Sequence, residues 1–438
     1  MGPTMKIVRI ELFHVAVPLP AAFRPSWIPG FRQTENRFDL IRLETSDGLV
    51  GWSAAPRMGN ERAGLGALLG PYLLGERADD IPTVLQRIRE MSYLGWRVGW
   101  IEAACWDIIG KAAGKPVYEL LGGQGGRVKL YASTGEVRSG AERVEEVQRR
   151  VDEGFDTIKL RVHDWTLEED LAQIRATREG VGDAVALGVD ANQGWRVAAI
   201  ADAPLWDLER ATAFCEVATE LGFSWVEEPL ANDDYAGLAE LRRRVGVNIS
   251  GGELNSQGPP EFDVMLEHGC LDWYQPDAVM TGGIAPTLAI AKAVQAAGFK
   301  YSPHTWTNGI GFAINLQVFA ASGQQGAVLE YPLDPPGWVP EARDGLIAPW
   351  PHDRGHLDLP TGPGLGFEVD RSALARWGKR FYLGTPARVA ISAVLDRGLS
   401  EARKLGDVRK ARMNARSEAL ASQTPEAAAQ AGLAAVGL

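Results

Sequence analysis

Between residues 126 and 355 the chain repeats one pattern eight times, a short apolar run followed by a longer amphipathic stretch. The runs are VKLYASTG, TIKLRVH, VALGVDANQ, SWVEEPL, VNISGGELN, LDWYQPDAV, KYSPHTW and AVLEYP, separated by segments such as LEEDLAQIRATREGVG and YAGLAELRRRVG. Alternating strand and helix patterns predict βαβ units around a parallel sheet, and eight in succession predict a closed (β/α) barrel rather than an open sheet. A barrel of about 250 residues advances by roughly 31 residues per unit. The polar residues that end the runs keep that interval: Arg161, Asp190, Glu227, Glu253, Asp277, His304 and Glu330. All strands of such a barrel end on one face, so these side chains are expected to meet at a single mouth.

The second run explains itself in that setting. Strand side chains alternate between faces, so Lys159, Arg161 and His163 of TIKLRVH are predicted to point the same way. Three cationic or titratable groups on one face suit a site better than a core.

Residues before about 125 follow a different plan. IVRIELFHVAV and FDLIRLETSDGLVGW read as strands, with Asp47-Gly48 as a hairpin turn, and RVGWIEAACWDIIGKAAGKPVYELLGG reads as helices broken at Pro116. The expected architecture is α/β: an α+β capping domain over 1–125, a barrel over 126–355 and a helical tail over 385–438. The tail's Ala/Gly-rich end carries no aromatic anchor and is expected to be mobile.

Composition removes several partners. A net charge of −11 argues against nucleic acid and against an anionic membrane, either of which needs a basic face. Cys105, Cys215 and Cys270 are widely spaced and odd in number, which disfavours disulfides and points to a reducing cytoplasm. No export signal or apolar run of membrane-spanning length is evident, so a soluble, unexported protein is expected.

Taken singly, each acidic residue at a strand end reads as a helix cap or a surface ion-pair partner. Asp190, Glu227 and Glu253 come from three successive strands, and three converging carboxylates repel unless a cation holds them. Hard oxygen ligands suit Mg²⁺, with water and substrate completing the shell. Glu228 and Asn192 adjoin these positions and read either as partners of metal-bound water or as ordinary loop residues. Asp277 and His304 end neighbouring strands, so the carboxylate can orient the imidazole and raise its basicity, the arrangement of a general base.

The ordered set WDIIGKAAGKPVYELLGG, IKLR, VDANQ, VEEPL, GGELN, QPDAVMTGGI, PHTWTNGIG and LEYP resembles the mandelate racemase branch of the enolase superfamily over about residues 5 to 380. The resemblance implies a modified (β/α)7β TIM-like barrel, with a segment near 356–384 closing the capping domain. It implies Asp190, Glu227 and Glu253 as Mg²⁺ ligands, Asp277 and His304 as the catalytic dyad, and Glu330 hydrogen-bonded beside the substrate carboxylate or intermediate. The implied step is abstraction of the proton α to a carboxylate, through an enediolate. It also suggests a homo-oligomer, with the helical tail available to join subunits.

One position departs from the pattern. Where the branch often has Lys-x-Lys and a second base, this chain has Lys159-Leu160-Arg161. An arginine, with a pKa above about 12, is a poor proton acceptor. Racemisation needs an acid/base on each face of the α-carbon, whereas syn elimination can use one histidine twice. The expectation is therefore a sugar-acid dehydratase giving a 2-keto-3-deoxy product, with Arg161 and Lys159 neutralising the carboxylate and enediolate. His163, if it reaches the substrate, would protonate the leaving hydroxyl or restore an epimerase. A racemase or epimerase of a 2-hydroxy acid and a non-catalytic sugar-acid-binding homologue are the alternatives. Arg24, Trp27, Arg32, Arg37 and Arg57 of the capping loops are candidates to close over the acid, as solvated loop residues or as ligands.

Overall fold

The computed structural model describes residues 5–198, 200–323 and 326–438. Its strands run β1 (Ile7–Phe23), β2 (Gln33–Thr45), β3 (Val50–Pro56), β4 (Arg127–Ser133), β5 (Thr157–Arg161), β6 (Ala186–Asp190) and β7 (Trp225–Glu227). They continue with β8 (Asn248–Gly251), β9 (Trp273–Tyr274), β10 (Lys300–Tyr301), β11 (Leu329–Pro332), β12 (His356–Asp358) and β13 (Gly378–Gly384).

The capping sheet is antiparallel, in the order β13-β1-β2-β3. Its β2–β3 turn places Gly48 at φ +87°, a conformation that an L side chain strains to adopt. Helix Glu102–Ala113 lies close on β3: a Cβ at Gly51 would sit 1.9 Å from the Ala104 carbonyl oxygen. Only glycine fits there. Buried Asp107 on that helix accepts from the Trp52 backbone N–H at 3.1 Å and the Leu365 N–H at 3.0 Å, joining the cap to the segment that follows the barrel.

The eight predicted runs form β4 to β11, with helices between them. The parallel ladder runs β10-β9-β8-β7-β6-β5-β4-β11. Between β10 and β11 the link is made by side chains, Ser302 Oγ donating to the Val328 carbonyl at 2.6 Å and Thr305 Oγ1 to that of Glu330 at 3.0 Å. Register aligns Arg161 with Asp190 and Asp190 with Glu227, which puts their side chains at one level of the barrel. Every residue of β5 is buried, the two cations included. Of the segment expected to close the cap, β13 joins the capping sheet while β12 pairs antiparallel with barrel strand β4.

The tail departs from expectation at its end. Helices Pro386–Arg397 and Leu399–Ala419 bury no residue, whereas Pro425–Ala434 buries Ala428, Ala429 and Leu433. A Cβ on Gly432 would lie 3.0 Å from Ile81 Cγ2 and 3.1 Å from the Trp106 ring. The anchor is made of small residues that let two helices approach, not of an aromatic side chain. Arg412 and Arg416 hold the preceding helix to Glu76 at 2.9 Å and Asp80 at 2.6 Å. No helix among the described residues is long and apolar enough to cross a membrane. All three cysteines are free and buried.

Candidate active site

Lys159 and Arg161 rise from β5 into the barrel, and their positive charge is met by the acids of the neighbouring strands. Lys159 Nζ lies 2.6 Å from Glu227 Oε1, 2.8 Å from Glu330 Oε1 and 3.7 Å from Asp190 Oδ2. Arg161 pairs with Asp190 and donates through Nε to the Thr134 carbonyl at 2.7 Å. Its guanidinium also lies beside an edge-to-face pair of indoles 5.1 Å apart, 5.2 Å from the Trp27 ring of the cap and 5.7 Å from the Trp306 ring of the barrel.

His304 is buried, with Nδ1 2.9 Å from Asp277 Oδ2 and Nε2 3.4 Å from Glu253 Oε2. Asp277 is itself fixed, its Oδ1 accepting from Asn315 Nδ2 at 2.7 Å and the Val279 N–H at 2.9 Å. The carboxylate therefore holds the Nδ1–H tautomer and leaves Nε2 for chemistry. Burial opposes charge on the ring, yet Glu253, Glu330 and Asp277 together lift its pKa to about 9. Glu330 is not free for a ligand as it stands: Ser133 Oγ donates to it at 2.7 Å and the Thr305 N–H at 2.5 Å, besides Lys159. Burial works against its charge, but Lys159 and His304 hold its pKa down to about 2.

Glu228 is the outlier. Both carboxylate oxygens are buried without a hydrogen-bond partner. Burial, then the charges of Glu253, Asp190 and Glu227, push its pKa well above the usual carboxylate range. Burial also raises Asp190, to about 7, partly offset by Arg161. Glu228 and Asn192 both adopt φ +48°, the left-handed region that non-glycine residues rarely occupy. Four carboxylates with one orphaned are a donor set short of a cation, and hard oxygen ligands fit Mg²⁺. As drawn, with Asp190 and Glu227 turned to Arg161 and Lys159, no three acidic, imidazole or thiol side chains among the described residues converge as a finished metal cage.

Above this floor lies a cavity of about 620 Å³ between the barrel and the cap. Arg161, Asn192, Glu253 and His304 reach its surface, with Lys159, Asp190, Glu227, Asp277 and Glu330 behind them. Of the capping-loop candidates, Trp27, Arg32, Arg37 and Arg57 line it. Arg24 does not; its backbone N–H is bonded to Glu136 at 2.5 Å. Nor does His163, whose Nδ1 is 2.6 Å from the Ser26 carbonyl oxygen and whose pKa is pushed down by burial. The alternation that put it on the face of Arg161 ends with β5 at Arg161.

Several residues emerge only from the folded arrangement. Ser26 donates to Asn192 Oδ1 at 2.6 Å, Gln275 to Glu227 Oε2 at 2.8 Å, and Trp306 Nε1 to Ser133 Oγ at 2.8 Å. Gln275 and Trp306 lie in motifs quoted from the sequence, but polar residues in loops carry no signal of which partner they will meet.

A capped barrel whose mouth gathers acids around a carboxylate-oriented histidine is an enolase-type enzyme in architecture. Residues 142–373 match the enolase C-terminal domain-like family model, and residues 9–122 match that of the mandelate racemase / muconate lactonizing enzyme N-terminal domain. The chain belongs to the mandelate racemase / muconate lactonizing enzyme family of the enolase superfamily. It is 29% identical over 369 residues to the D-galactarolactone cycloisomerase of Agrobacterium fabrum, covering 79% of this chain and 94% of that one. It is 29% identical over 356 residues to the arabinonate dehydratase of Saccharolobus solfataricus, covering 78% and 91%. Among solved structures it is similar to the L-talarate dehydratase of Polaromonas sp. JS666 complexed with Mg and L-glucarate, at TM-score 0.70 and 25% identity, covering 86% and 98%.

Proposed function

We propose that the protein is a Mg²⁺-dependent hydro-lyase that dehydrates a sugar acid, an aldonate or aldarate, to its 2-keto-3-deoxy acid. The observation that carries this reading is that His304 is the only histidine among the described residues that lines the cavity, with Arg161 where a second base would stand. Relatives that act on sugar acids, by dehydration and by cycloisomerisation, support the substrate class.

In this reading Asp190, Glu227 and Glu253 hold the cation, with Glu228 beside them. Bound Mg²⁺ would supply positive charge to the substrate carboxylate, making the α-proton acidic. The neutral form of His304, which a cation at Glu253 would favour by offsetting the charge that raises its pKa, takes the α-proton at Nε2 while Asp277 accepts from Nδ1–H and stabilises the imidazolium. The same Nε2–H then returns the proton to the 3-hydroxyl, which leaves as water on the same face. Tautomerisation of the enol yields the 2-keto acid. Arg161, held by Asp190 and the Thr134 carbonyl, supplies fixed positive charge near the developing enediolate and no proton.

His304→Asn is expected to lower kcat by at least about 10³-fold, with Mg²⁺ binding retained. The measurement is 2-keto acid formation from a panel of four- to six-carbon acid sugars, with calorimetry for the metal. Undiminished turnover in the variant would refute the role of His304. Deuterium entering recovered substrate with inversion, without keto acid, would establish the epimerase instead.

A further inference from the structure

The outer end of the cavity carries a set of charges that α-proton chemistry does not use. Arg57 and Arg62, on the connection after β3, and Arg97, before helix Glu102–Ala113, line it together with Arg32 of the β1–β2 loop and Arg37 of β2. Behind them Asp39 on β2 is buried, 1% exposed, and acts as a hub. Its Oδ2 meets Arg62 Nη1 at 3.1 Å and its Oδ1 lies 3.5 Å from Arg57 Nε. His14, stacked on Phe381 at 4.0 Å, holds Oδ1 from the other side at 2.7 Å.

The hub fixes the arginines without saturating them. Arg57 Nε is buried and lacks a hydrogen-bond partner. Arg62 is further set by the Pro56 carbonyl at 2.7 Å and lies over the Trp100 ring at 5.8 Å. Arg37 is satisfied by Glu35 at 2.8 Å, and Glu61 accepts from the Met58 and Gly59 N–H groups while its Oε1 lies 3.8 Å from Arg62 Nη1. Arg32 and Arg97 line the cavity with no ion-pair partner among the described residues. Five guanidinium groups thus face the carboxylates of Glu35, Glu61 and Asp39, leaving two positive charges over in a chain whose net charge is −11. The lining of the same cavity includes the apolar side chains of Trp27, Phe31, Met58 and Trp338.

We propose that this arginine set is a second anion subsite, so that the substrate is a dianionic acid: one carboxylate at the barrel mouth beside His304, and a second anionic oxygen group, carboxylate or phosphate, at Arg57, Arg62 and Arg97. The proposal rests on the α-proton reading for the orientation of the acid and narrows its substrate. Arg57 and Arg62, held by Asp39, and the unpaired Arg97 can bind such oxygens by charge-assisted hydrogen bonds, and the rings of the lining offer surface to the C–H faces of the chain.

The test uses three six-carbon acids of one configuration: D-gluconate, D-glucarate and 6-phospho-D-gluconate. Binding to the full-length protein in Mg²⁺ is measured by calorimetry, for wild type, Arg97→Gln and Arg62→Gln. Both or one of the dianions should bind at least about tenfold more tightly than gluconate, and which one distinguishes carboxylate from phosphate. The gap should close by about tenfold in Arg97→Gln, whose exposed side chain can be changed without disturbing the fold. Gluconate binding as well as both dianions, no acid binding at all, or a gap unchanged in both variants overturns the proposal. His304→Asn separates the two readings: it should abolish keto acid formation and leave the dianion preference intact. If wild type forms no keto acid yet keeps the preference, the dehydratase reading fails and the subsite stands.

Discussion

Glu228 carries two oxygens with no hydrogen-bond partner inside a site that already holds Asp190, Glu227 and Glu253. A buried charge in that position destabilises the metal-free protein and is relieved only by protonation or by a cation. Glu228→Gln is therefore expected to raise the metal-free Tm, by about 2 °C or more, and to shrink the stabilisation that added Mg²⁺ confers. Thermal unfolding with and without Mg²⁺ reads both changes. A lowered metal-free Tm would show that the carboxylate has a partner in solution. At this scale the sequence was informative where a residue ended a strand: Asp190, Glu227 and Glu253 were legible as a cluster from their spacing. His163 was misplaced because a period of two holds only while the strand lasts, and β5 stops at Arg161. Ser26, Gln275 and Asn315 were invisible, since a neutral polar side chain announces that it can be bonded but not to what.

The eight barrel strands were readable because burial on both sides makes short, nearly continuous apolar runs, with amphipathic helices between them. The last helix was not, for an equally physical reason. Pro425–Ala434 docks through Ala428, Ala429 and Gly432, and a face of small residues has little hydrophobic contrast with the rest of an Ala-rich stretch. The contact is tight all the same. Gly432→Val would drive two methyl groups into Ile81 and Trp106, and is expected to cost about 1–3 kcal/mol. Urea unfolding would check this, and an unchanged midpoint would mean that the end of the tail is free in solution. The tail lies beyond residue 373, where the match to the family model ends.

Across the whole molecule, the first and last strands of the cap are bound by charge as well as by backbone. Glu11 on β1 pairs with Arg9 and, across strands, with Arg42 of β2 at 3.0 Å and Arg380 of β13 at 2.6 Å. Burial opposes its ionisation, but hydrogen bonds from Arg9 and Arg380 win and lower its pKa from 4.5 to about 2. A group with a depressed folded pKa contributes stability above its unfolded pKa and loses it as pH falls towards the folded one. Wild type should therefore lose about 1 kcal/mol, discounted for solvent screening, between pH 4.5 and 2 relative to Glu11→Gln. Denaturant titrations across that range measure the difference, and parallel curves for the two proteins would remove the network from the account.

The contacts of Arg161 span the boundary between cap and barrel. One indole comes from each side, Trp27 from a loop before β2 and Trp306 from a loop after β10. Asp190 and the Thr134 carbonyl hold the guanidinium from the barrel alone, so its position does not depend on the cap. What the cap adds is cover: Trp27 keeps water from a charge that the barrel has already set in place, and the same cation acts most strongly on a bound acid where the cap lies over it.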